Sequence, residues 1–234
     1  MLANFVLLLA ALLHPNLPVA RRANHMSLER LQPAVMASSS ADSQLDAAAA
    51  IAATLAEVDD RDALALHARL SLRAAEDDDF GMALREGLDV CAQAVRLYGP
   101  AGVITSFNGG KDAVAILHLM RAALASYCDK AELPQAQLPV LFFEQADEFP
   151  EVDAFVREAV ERYDLKMYAY SNLSFAPGLA KCMDESGAGA FVLGTRETDP
   201  NAKEQGTFAP SSDWMPAFMR VNPVLHWRCV FFVH

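Results

Sequence analysis

The second half of the chain alternates short apolar runs with longer stretches of helical spacing. Val103 to Thr105 reads as a buried strand. Asp112 to Ala125 reads as a helix with Ala113, Ile116, Leu117, Met120 and Leu124 on one face. A strand at Val140–Phe143 precedes a helix from Pro150 to Tyr163, whose proline suits a first helical turn. Met167–Tyr170 is a third strand, and Ala190–Leu193 a fourth. Between them, Leu173 to Glu185 reads as a weaker helix broken at Pro177-Gly178. Such alternation predicts an α/β fold, a parallel sheet with flanking helices on both faces. Ligands in such sheets bind at the carboxyl ends of the strands. Ser106, Glu144, Ser171 and Gly194 all fall there.

A helical N-terminal segment precedes the sheet. Ala47 to Leu55 is rich in alanine, the strongest helix former. Leu64, Leu66, Leu70 and Leu72 continue an apolar pattern up to Asp77-Asp78-Asp79, acids that suit the start of a further helix. Leu84, Leu88, Cys91, Ala92, Val95 and Tyr98 then form a helical stripe that Gly99-Pro100 ends. These helices are expected to pack on the core rather than bind a ligand.

The segment between the first strand and its helix is Ser106-Phe107-Asn108-Gly109-Gly110-Lys111-Asp112. Its glycines let backbone N–H groups converge without a Cβ in the way. The helix start adds unpaired donors and the positive end of the macrodipole. Lys111 adds a full charge where the macrodipole disfavours one, so its place is better explained by an anionic ligand. Ser106 and Asn108 add neutral donors. The pattern is not a Walker A loop, which needs four residues between its glycines and a Ser or Thr after the Lys.

This loop resembles the pyrophosphate-binding loop of the adenine nucleotide alpha hydrolase superfamily, which includes the phosphoadenylyl-sulfate reductases. Two later segments narrow the resemblance. They are Gly194-Thr195-Arg196-Glu197-Thr198-Asp199-Pro200, and Ser212 to Trp227 with Trp214, Phe218-Met219-Arg220, Pro223 and Leu225. In this order and spacing the segments closely resemble the eukaryotic-type FAD synthases, over about residues 85 to 227. The resemblance implies adenylyl transfer from ATP to FMN, with ATP and FMN as substrates and Mg²⁺ as the accompanying ion. It implies catalytic roles for Lys111, Asp112 and Arg196. Ser106, Asn108, Gly109, Gly110, Lys111, Asp112, Gly194 and Arg196 would hold ATP and pyrophosphate. Asp213, Trp214, Phe218 and Arg220 would line the flavin pocket, while Asp199 would orient Arg196 or ligate the metal. The family continues well past the position of Trp227. The tail Arg228 to His234 does not match that continuation, so part of the flavin pocket is expected to be missing. A sulfonucleotide reductase and a truncated, non-catalytic nucleotide-binding homologue are the competing readings.

Composition refines the partners. The chain has 234 residues and a net charge of −11, which argues against nucleic acid and leaves small-molecule nucleotides as the expected partners. An acidic chain can still bind ATP through local donors and a cation. Cysteines at 91, 128, 182 and 229 are too scattered for a zinc site and suit free thiols in a reducing compartment. Residues 42–100 carry twelve acids against five bases, whereas residues 1–41 are net positive. Phe5 to Leu13 is apolar but shorter than the roughly 20 residues that span a bilayer, so no membrane partner is expected. The segment lacks a basic n-region, and Met26 and Met36 are alternative starts. The expected organisation is a targeting or disordered leader at 1–42, a helical extension at 43–98, a nucleotide-binding domain at 99–228 and a divergent tail at 229–234. Location in the cytoplasm is expected, with a mitochondrion or plastid as the alternative if residues 1–42 target the chain.

Overall fold

A computed structural model of the chain describes residues 59–145, 148–200, 202, 205–228 and 231. The leader, the alanine-rich run at 47–55 and the tail residues 229, 230 and 232–234 lie outside the described residues. Two helices come first, α1 (Ala63–Ala74) and α2 (Asp79–Tyr98). Asp62 starts α1 by accepting hydrogen bonds from the Leu64 and Ala65 N–H groups, both at 3.0 Å. Asp78 does the same for α2 through Gly81, and its carboxylate also takes both Nη atoms of Arg73 at 3.0 and 2.9 Å. The acids at this turn are therefore helix starters, as the sequence suggests. Gly99, at φ +74°, ends α2. Ala92 belongs to the apolar stripe by spacing but lies exposed.

The sheet follows with β1 (Val103–Ser106), α3 (Lys111–Lys130), β2 (Pro139–Glu144), α4 (Pro150–Arg162), β3 (Lys166–Ser171), α5 (Phe175–Ser186) and β4 (Ala190–Val192). Two further strands are β5 (Phe208–Pro210) and β6 (Met219–Val221). The strand order is β3-β2-β1-β4-β6-β5, parallel throughout except that β5 runs antiparallel to β6. The parallel α/β prediction holds, and β5 and β6 extend it.

Alternation along the strands explains why both faces are covered. Val103, Val140, Phe142, Ala190 and Val192 point into one core, shared with α1, α2, α3 and α4. Ile104, Leu141 and Phe191 point the other way, against Leu179 and Cys182 of α5. Strands buried on both sides lose the in–out polarity pattern and read as continuous apolar runs. The predicted break at Pro177 does not occur. Pro177 lies in the first turn of α5, where its missing N–H has no intrahelical partner to lose.

A polar latch ties the start of α1 to α3 and α4. Asp60 accepts both Arg162 guanidinium branches at 2.9 Å and the Tyr163 hydroxyl at 3.2 Å. The Arg121 guanidinium lies 3.8 Å from the Tyr163 ring centroid and donates to the Asp60 and Arg61 carbonyls. His118 meets the Tyr163 ring edge-on and sits 3.1 Å from an Arg121 nitrogen. Desolvation, then the Arg121 charge, pushes the His118 pKa down to about 3. The folded protein therefore resists protonating this ring while the unfolded chain accepts a proton near pH 6.5. Stability should be complete above that value and fall as the pH drops from 6.5 toward 3. The loss by pH 5 should be about 2 kcal/mol. Urea unfolding at pH 7 and pH 5 should show it, and His118→Asn should flatten the dependence.

Candidate functional site

Strand β1 delivers Ser106 to the carboxyl edge of the sheet, and the chain turns there into α3. Gly110 caps α3 without a side chain, so the first helical N–H groups face the loop. Asn108 Oδ1 accepts the Gly110 N–H at 3.1 Å and holds the turn. Gly109 has φ +73°, a conformation that disfavours a side chain. A Cβ there would also press on Phe155, Val152 and Val156 of α4 at 3.3–3.4 Å. The loop is therefore seated on α4, with Phe107 fully buried beneath it.

Four charged side chains converge beside this loop. Lys111 Nζ lies 2.7 Å from both Asp112 carboxylate oxygens. Asp112 Oδ1 is 3.7 Å from Arg196 Nε. Asp199 accepts the Arg196 backbone N–H at 2.8 Å and an Arg196 Nη at 3.3 Å. Arg196 is only 13% exposed along its side chain, so its guanidinium is fixed rather than free in solvent. The Glu197 N–H donates to the Leu225 carbonyl at 2.8 Å, pinning this segment to the turn after β6.

Gly194 explains how the two segments meet. A Cβ built on Gly194 would lie 2.9 Å from Asp112 Cβ and 3.2 Å from the Asp112 backbone carbon. Only a residue without a side chain lets the chain leaving β4 touch the first turn of α3 and present Arg196 to Asp112.

A cavity of about 170 Å³ opens beside this cluster. Its polar groups include Ser106, Thr195 and Arg220, and its aromatic walls are Phe175, Phe191 and Phe218. Arg220, on β6, donates to Ser212 Oγ at 2.7 Å. Phe218 is 8% exposed and packs edge-on against Phe191 at 4.9 Å. Asp213 and Trp214 lie on the surface beside this wall, with Trp214 67% exposed. Of the four residues expected at the flavin, the structure brings Phe218 and Arg220 to the cavity, and Asp213 and Trp214 do not line it. Trp227 is core, its indole N–H donating to the Ala83 carbonyl of α2 at 3.0 Å. His226 meets Glu86 at 2.7 Å. Glu144, at the end of β2, is held by Arg157 at 2.7 Å. Phe175, Thr195 and Met215 also line the cavity and were not singled out from the sequence. Thr195, inside the Arg196 segment, and Met215, inside the Ser212–Trp227 segment, carried a local signal, whereas Phe175 did not.

This arrangement defines a class, a mostly parallel α/β protein with a glycine loop and a charged cluster at the carboxyl edge of its sheet. Residues 102–176 match the phosphoadenosine phosphosulfate reductase domain. The chain is 32% identical over 136 residues to a probable FAD synthase of Schizosaccharomyces pombe, covering 57% of this chain and 51% of that protein. It is 31% identical over 141 residues to the flavin adenine dinucleotide synthase of Saccharomyces cerevisiae, covering 52% and 45%. It thus spans about half the length of these curated relatives. The fold matches that of Candida glabrata FMN adenylyltransferase, solved with FAD and inorganic pyrophosphate. The TM-score is 0.63 at 24% identity, over 73% of this chain and 63% of that one. Over these spans the chain is similar to eukaryotic FAD synthases, and it shares the fold of an FMN adenylyltransferase.

Gly194→Ala tests the junction. The added methyl should force β4 and α3 apart and cost on the order of 1–3 kcal/mol. Thermal unfolding should show that loss, and nucleotide affinity should fall with it. A variant as stable as the parent, with the same affinity, would mean that the segments tolerate separation.

Proposed function

We propose that this chain transfers the adenylyl group of ATP to FMN, forming FAD and pyrophosphate. The convergence of Lys111, Asp112, Arg196 and Asp199 on the glycine loop, beside an aromatic-walled cavity, carries this reading. An FMN phosphate oxygen attacks the α-phosphorus of ATP. The bond from that phosphorus to the bridging oxygen breaks, and pyrophosphate leaves with the electron pair. No protein nucleophile is required, because the acceptor is already an anion. The protein contributes positioning and charge stabilisation.

The loop from Ser106 to Asp112 would hold the β- and γ-phosphates with its backbone N–H groups. Lys111, on a flexible stem, would leave Asp112 for the leaving pyrophosphate. Arg196 would meet phosphate with its planar fork, held in place by Asp112 and Asp199. Phe218 and Arg220 would face the flavin side of the cavity, and Trp214 and Asp213 would close over it. Mg²⁺ belongs to the same proposal. Asp112 and Asp199 offer the hard oxygens it prefers, and their ion pairs suit contact through water. When bound, the ion would neutralise phosphate charge.

Among the described residues the thiols are buried, which disfavours Cys91, Cys128 and Cys182 for cysteine chemistry of the sulfonucleotide reductase kind. Desolvation pushes the Cys182 thiol up to about 11, and Cys91 further up. Cys91, Cys128 and Cys182 are all free and buried, which suits a reducing compartment such as the cytoplasm.

Incubation with FMN, labelled ATP and Mg²⁺ tests the proposal. FAD and labelled pyrophosphate should appear together. ATP binding without product would favour a non-catalytic homologue. Lys111→Ala should weaken ATP binding by about tenfold while leaving FMN affinity nearly unchanged. Equal loss of both ligands on titration would contradict the separation of roles.

A further inference from the structure

A second concavity lies far from the charged cluster. Between α1, α2 and α3 runs a cleft of about 430 Å³. It borders the last third of α3, from Ala123 to Lys130, whereas Lys111 begins that helix. At 1.5 Å per residue the two are about 18–28 Å apart. The floor is apolar and built from Ala74, Leu88 and Ala123, all buried.

The rim has the opposite sign to the chain. Arg85, Arg96 and Lys130 surround the cleft, and Asp89 is its one acid among the described residues. Arg85 is already engaged, donating twice to the Ala74 carbonyl at the end of α1, at 3.1 and 2.6 Å. Arg96 and Lys130 make no ion pair or hydrogen bond among the described residues. In a protein of net charge −11, two unpaired cations beside one cleft are a local excess. Ser126 lines the same cleft and is 6% exposed. Its hydroxyl makes no hydrogen bond among the described residues and faces the cleft beside the cations.

We propose that this cleft binds a small organic anion with an apolar body. The apolar floor removes the body from water. Arg96, Lys130 and the Ser126 hydroxyl receive the anionic head, a carboxylate, sulfonate or phosphate. Charge-assisted hydrogen bonds of this kind are the stronger ones. Asp89 sets the limit by repelling the head. The site shares no residue with the nucleotide loop, so it stands independently of the proposed reaction.

The probe is 8-anilinonaphthalene-1-sulfonate, a fluorescent aromatic body with one sulfonate, titrated into the full chain. Binding should saturate near one equivalent. Arg96→Ala with Lys130→Ala should weaken it about tenfold, and Asp89→Asn should tighten it. These exposed substitutions should leave the melting temperature unchanged. Ala92→Trp, which fills the cleft, should abolish binding. N-phenyl-1-naphthylamine has the same body without the sulfonate, and its affinity should not respond to Arg96 and Lys130. Unsaturable binding would overturn the proposal. So would equal affinity in the charge variants, or binding that survives Ala92→Trp in a protein with the parent melting temperature.

Discussion

Everything at the carboxyl edge depends on Asp112 standing between two cations. Lys111 and Arg196 would repel each other across so small a space, and both would repel the positive end of α3. Asp112 touches both, and Asp199 holds the far side of Arg196. Two acids and two bases make the cluster neutral before any ligand arrives. A polyphosphate would then exchange one set of partners for another rather than enter a bare positive hole. Lysine is suited to that exchange because its stem is flexible, and arginine to staying fixed because its fork is planar and held at both ends.

The contact is possible because backbones meet where side chains are absent. Gly194 brings the chain after β4 against the first turn of α3, and Gly109 seats the loop on α4. Helix α3 joins these features to the rest of the protein. Its first turn carries Lys111 and Asp112, while its middle is buried under α1 and α2 and latched through Arg121 to Asp60. The preceding helices thus form part of the support on which the loop stands.

Much of this was legible in the sequence, for identifiable reasons. Strands β1, β2 and β4 are buried on both faces over most of their length, so they appear as uninterrupted apolar runs, whereas the edge strand β3 is mostly exposed or half-buried. The loop stands out because adjacent glycines mark a turn before a helix and a lysine at the helix start opposes the macrodipole, a cost that an anionic ligand would offset. Strands β5 and β6 were not legible. Each is three residues long, one ends in Pro210 and the other carries Arg220 at its centre, so no alternation can develop. Pro177 misled because a proline within an apolar stretch reads as a break unless the helix start is known. The cavity walls at Phe175 and Met215 come from separate elements, and only the fold brings them together. Trp214 and Trp227 look equivalent in the chain, yet one is exposed at the site and the other is core.

The most direct test of the charge cluster is calorimetric titration with inorganic pyrophosphate and Mg²⁺, without nucleotide or flavin. The account predicts saturable binding at one site, weakened about tenfold by Arg196→Lys because the planar fork is lost while the charge is kept. Absence of saturable binding, or equal affinity in that variant, would contradict it.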